Sequence, residues 1–105
     1  MSLQGKKLGL LIAARPDHPN FRHGIRLAET ALSRGVAVYL YCIDEAVSGL
    51  ADAQLQGLKT RGANLFACAY GAHRRQLPLG DLATFAGLTV VSDLVAGTDR
   101  FLCFS

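Results

Sequence analysis

The chain has 105 residues, 50% of them hydrophobic and 18% charged, the size of one domain with a real core and no room for a second. Its formal charge of +3, from 11 Lys and Arg against 8 Asp and Glu, is scattered along the chain without aromatic interleaving and carries no direct nucleic-acid signal. The apolar content exceeds what a solitary domain of this size needs, which points to surface covered by other subunits.

The opening residues lead into the apolar run Leu8 to Ala14, too short to span a bilayer, so no signal peptide and no membrane segment are expected. Leu8 to Ala13 reads as a strand covered on both faces, and Arg15-Pro16-Asp17-His18-Pro19 ends it, because two prolines forbid regular pairing. Asn20 is a candidate N-cap for a helix in which Phe21, Ile25, Ala28 and Leu32 recur at helical spacing, with Gly35 as its stop. Val36 to Ile43 is rich in β-branched and aromatic residues and predicts a second buried strand, ending at Asp44-Glu45. Leu50, Leu55 and Leu58 place one or two short helices between residues 46 and 62.

Ala63 to Ala67 predicts a third strand, followed by a partly helical segment from Cys68 to Gln76 that Pro78 and Gly80 interrupt. Leu82, Ala83, Phe85 and Ala86 suggest another turn or two of helix, and Leu88 to Val91 a short strand. Ser92 is a candidate N-cap for a helix stopped by Gly97, before a final strand at Arg100 to Phe104. Strands alternating with helices at this spacing predict right-handed βαβ units and a mainly parallel five-stranded sheet with helices on both faces, an α/β fold. In such sheets, sites form beyond the C-terminal ends of the strands.

Three cysteines, Cys42, Cys68 and Cys103, without CxxC or zinc spacing exclude a disulfide framework and fit a reducing cytoplasm. Cys68 alone stands at a strand end with a helix start behind it. There, unpaired backbone N–H groups and the positive end of a helix dipole favour an anion. A thiol with pKa near 8.5 is about 3% ionised at pH 7, and a fall of roughly one unit raises that to about a quarter. The competing reading makes Cys68 a small core hydrophobe. Cys42 and Cys103 read as core or interface residues, with the acidic pair Asp44-Glu45 raising the Cys42 thiol.

No glycine loop follows the first strand, so dinucleotide and P-loop sites are not expected. His18, His23 and His73 offer no metal spacing, and neither a metal nor an organic cofactor is called for. His18 and His73 belong to segments expected near Cys68, which keeps a Cys/His pair open. Arg74 and Arg75 either screen a thiolate or form a solvated basic helix end.

Taken in order, several segments resemble the DsrE/DsrF/DsrH-like family of small sulfur-relay proteins: Gly24 to Leu32, Gly35-Val36-Ala37-Val38, Asp44-Glu45-Ala46-Val47, Cys68-x-x-x-Ala72-x-Arg74-Arg75, Ser92-Asp93-Leu94 and Asp99 to Phe104. The resemblance spans nearly all of residues 1–105 as a single DsrE-like domain. It implies a three-layer α/β/α fold and assembly as homo-oligomers, trimers or hexamers, or as hetero-oligomers with related subunits. It also implies a persulfide carried on the sulfur of Cys68 and exchanged with donor and acceptor proteins; the residues themselves add His73, Arg74 and Arg75 as a positive field, with His18 in support. A non-catalytic oligomeric or small-ligand-binding module is the alternative it allows.

Overall fold

A computed structural model describes residues 2–78 and 80–105. Five parallel strands form one sheet: β1 (Lys7–Ile12), β2 (Ala37–Cys42), β3 (Asn64–Cys68), β4 (Thr84–Ala86) and β5 (Arg100–Phe104). Their order across the sheet is β4-β3-β2-β1-β5. The helices are α1 (Pro19–Ser33), α2 (Ala53–Thr60), α3 (Ala69–Arg74) and α4 (Thr89–Gly97), and a 3₁₀ turn covers Asp44–Gly49.

The topology follows from handedness. From β1 to β4 the chain steps steadily toward one edge, and right-handed crossovers place the intervening helices on one face. The connection from β4 to β5 runs back across the whole sheet, which puts α4 on the other face against β1 and β5. This is the expected three-layer α/β/α arrangement. Its two outer layers are unequal, because a single nine-residue helix has to cover the second face.

Side-chain parity divides the core accordingly. The register pairs Leu10 with Leu40 and Ile12 with Cys42, and Leu40 with Leu65 and Cys42 with Ala67. All six are buried, together with Phe21, Ile25 and Ala28 of α1 and Leu55 and Leu58 of α2. On the other face Leu11, Tyr39, Phe66 and Phe101 are only half-buried. Leu88 and Val95 at α4 are exposed.

Helix starts differ from expectation in an instructive way. The cap of α1 is His18, whose Nδ1 accepts the Asn20 N–H at 3.1 Å, with Pro19 as the first helical residue. Proline suits that position because its missing N–H is not needed and its φ is already helical, so the cap moves back by two residues. Asn20 instead donates its side-chain amide to the carbonyl of Ser105 at 2.9 Å. Helix α2 is capped by Asp52, which accepts from Gln54 and Leu55 and pairs with Arg22 of α1 at 2.7 Å. The Arg22 hydrogen bond holds the Asp52 carboxyl below its ordinary range. Gly35 closes α1 as expected, at φ +80°.

Residues 82–97 correct the sequence reading. The expected helix around Leu82 to Ala86 is the edge strand β4, pairing Phe66 with Thr84 and Cys68 with Ala86. The expected strand Leu88 to Val91 belongs to α4, with Leu88 at its cap and Ser92 inside it. Short apolar runs fit either periodicity. The β-branched pair Val90-Val91 is overridden by the need to carry the chain over the sheet to the far edge.

Candidate functional site

Cys68 is both the last residue of β3 and the N-cap of α3, so its side chain is aimed by a strand and satisfied by a helix. Its Sγ accepts the Gly71 N–H at 3.3 Å. Gly71 permits that geometry: a Cβ there would stand 3.3 Å from Val47 Cγ2, so glycine lets α3 close on the 3₁₀ turn. Cys68 lies at the wall of a cleft of about 320 Å³ at the C-terminal ends of the strands, shared with Asp44, Tyr70, Arg74, Arg75 and Leu88. The side chain is 4% exposed, a more covered thiol than a freely accessible carrier requires.

The two arginines are held differently. Arg75 donates to Glu45 at 3.0 Å and to the Gly71 carbonyl at 3.2 Å, which fixes it along the helix. Arg74 is exposed, its guanidinium 5.9 Å from the centre of the Tyr70 ring. It has no ion-pair partner among the described residues. Arg74 is therefore the cation available to an anion in the cleft. His73 is exposed and does not line the cleft, and His18 is occupied in capping α1. No Cys/His pair is assembled here.

Two residues of the site were not singled out from the sequence. Tyr41 occupies the sheet face of Cys68, and its hydroxyl donates to the Ala86 carbonyl at 3.1 Å. Ala86 is the register partner of Cys68. Burial, and then the neighbouring Cys68 sulfur, push the Tyr41 phenol up, so it stays protonated as a donor. Strand parity carries the missing signal: Tyr41 pairs with Phe66, two residues before Cys68, and so shares its face. Asp44, expected only as a polar strand end, has φ +54°. That left-handed backbone is uncommon for a residue with a side chain and bends the chain into the cleft rim.

The other cysteines have different surroundings. Cys42 is fully buried on the opposite face, and burial alone pushes its thiol up to about 12; Asp44 and Glu45 are not the cause. Cys103, expected in the core or an interface, is exposed on edge strand β5. No cluster of three or more His, Cys, Asp or Glu able to hold a metal occurs among the described residues. None of their helices is long and apolar enough to cross a membrane.

Fold and site together define an α/β/α domain with a buried cysteine at the C-terminal rim of a parallel sheet. The chain is similar in structure to the crystal structure of the ychN protein from E. coli, with a TM-score of 0.76 and 16% sequence identity over 99% of this chain and 100% of that one. At that identity the likeness shows the fold. No protein-family profile matches the sequence, and no curated protein matches it.

Proposed function

We propose that this protein is a DsrE-like intracellular sulfur carrier that accepts a sulfane sulfur on Cys68 and passes it to a partner. The observation that carries the reading is the placement of Cys68: a strand-end sulfur receives a backbone N–H and borders a cleft that also holds the uncommitted cation Arg74. A backbone N–H donor and an unpaired guanidinium are the partners a sulfur that carries charge in transfer can use. In the first step the Cys68 thiol loses its proton to solvent. Its thiolate then attacks the outer sulfur of a donor persulfide, forming a new S–S bond as the donor's own S–S bond breaks and its thiolate leaves. An acceptor thiolate attacks the outer sulfur of the Cys68 persulfide in turn and regenerates Cys68 thiolate. Sulfur moves between equivalent oxidation states, so no external oxidant or reductant is needed. Arg74 offsets the charge on the persulfide, and Tyr41 fixes β4 beside it.

Assembly belongs to the same proposal. The half-buried Leu11, Tyr39, Phe66 and Phe101 and the exposed Leu88 and Val95 leave one face of the sheet short of cover, as expected of a subunit in a homo-oligomer or a hetero-oligomer with related chains. The low exposure of Cys68 favours the second reading, a non-catalytic oligomeric or small-ligand-binding module. Intact-protein mass spectrometry after incubation with a persulfide donor separates the two. The carrier gains one sulfur that reductant removes and that Cys68→Ser does not gain. Equal gain by both proteins, or by neither, rejects Cys68 as the carrier.

A further inference from the structure

The end of the sheet opposite Cys68 carries a second concavity, of about 450 Å³, between the last turns of α1 and the starts of β1 and β5. Its apolar wall is formed by Leu8, Leu27, Ala31 and Val36. Four cations surround that wall: Lys6, Lys7, Arg34 and Arg100. The ion pairs of the described residues engage Arg15, Arg22 and Arg75, and none of these four.

The one carboxylate among the lining residues, Asp99, offsets only one of these four charges. Asp99 accepts the Lys7 N–H at 2.7 Å, and the Arg100 guanidinium donates to the Asp99 carbonyl, not to its carboxylate. The carbonyls at the end of α1 do not supply the missing negative charge either. Ala31 accepts from Arg34 and Val36, and Leu32 accepts from Gly35. The rim therefore keeps an excess of positive charge above an aliphatic wall.

We propose that this groove binds a small amphiphilic monoanion: an aliphatic carboxylate of medium chain length, its tail against Leu8, Leu27, Ala31 and Val36 and its head between Arg34 and the lysines. A concave site of this size, apolar with a few convergent polar groups, matches a single small molecule better than an extended surface. The groove lies on the α1 face, away from the uncovered sheet face, so assembly through that face leaves it open. The site is independent of chemistry at Cys68.

The test is an amide NMR titration of the full chain with decanoate, decanol and acetate, each below its aggregation concentration. Decanoate saturates shifts centred on Leu8, Ala31 and Val36, decanol binds more weakly, and acetate leaves these amides unchanged. Arg34→Glu and Arg100→Glu each weaken decanoate binding about tenfold, whereas Arg15→Glu, the same charge change at the far end of the sheet, does not. Using two exposed rim positions keeps the result readable if one variant misfolds. Equal affinity for decanol, shifts centred on Tyr39 and Phe66 or on the Cys68 cleft, equal weakening by Arg15→Glu, or no saturable shift would each overturn the proposal.

Discussion

Cys42 and Cys68 end neighbouring strands and face opposite ways, and almost everything about their chemistry follows from that parity. Cys42 points under α1 and α2 into a sealed layer, where burial alone pushes its thiol up to about 12. Cys68 points toward the thinly covered layer, where Gly71 donates to it, Tyr41 stands beside it and a cleft reaches it. Their exposures, 0% and 4%, barely differ. Burial alone does not distinguish an inert thiol from a candidate site; the polar company on each face does.

The largest test of that contrast is thiol labelling. In the folded protein at pH 8, a thiol with pKa about 12 is ionised about once in ten thousand. Iodoacetamide should therefore modify exposed Cys103 first, Cys68 next, and Cys42 roughly a thousandfold or more slower than Cys103, as followed by peptide mass spectrometry. Labelling of Cys68 as slow as that of Cys42 would remove the chemical difference between the faces and the carrier reading with it.

Adjacent leucines of β1 test the packing side of the same contrast. Leu10 is fully buried under α1, while Leu11 is half-buried on the other face. Leu10→Ala should cost about 3 kcal/mol in urea unfolding and Leu11→Ala about 1 kcal/mol. Equal costs would mean that the second face is as closely packed as the first.

The next effect appears at alkaline pH. The Cys42 thiol lies above its ordinary value of 9.0 in the folded chain, so the unfolded chain loses this proton first. Its contribution to stability is complete below pH 9 and is lost between about 9 and 12 as pH rises. The loss should run at about 1.4 kcal/mol per pH unit. Cys42→Ala should lack this slope in denaturant melts at pH 9 to 11, whereas Cys68→Ala should keep it.

Smallest is the effect of the Tyr41 hydroxyl. Tyr41→Phe removes its hydrogen bond to Ala86 and should cost about 1 kcal/mol. It should also speed labelling of Cys68 while leaving Cys42 unchanged. Unchanged labelling of both would show that Tyr41 does not hold the wall beside Cys68.

The parallel sheet was legible because β1, β2, β3 and β5 are apolar runs separated by prolines, glycines and one strongly periodic helix. The strand-end position of Cys68 followed from the same pattern. Residues 82–91 were not legible, because a three-residue strand is too short to show alternation and Val90-Val91 favours β structure locally while the crossover requires a helix. The histidines misled for another reason: position at the right end of the sheet does not fix side-chain direction. His18 turned back to cap α1, and His73 turned outward. Tyr41 stayed hidden among strand residues because its part depends on β4, whose existence the sequence did not declare.

The shortness of β4 bears on how a 4% exposed sulfur could be reached. Three ladder positions and one phenol hold this edge strand to the sheet, so it can unzip while the other four strands stay paired. Amide hydrogens of Phe85 and Ala86 should then exchange well before those of β1 and β2, through local opening instead of global unfolding. Because Ala86 pairs with Cys68, each such opening would uncover Cys68. On the carrier reading, the time the sulfur would spend in reach of a partner is set by the fraying of the weakest edge of the sheet.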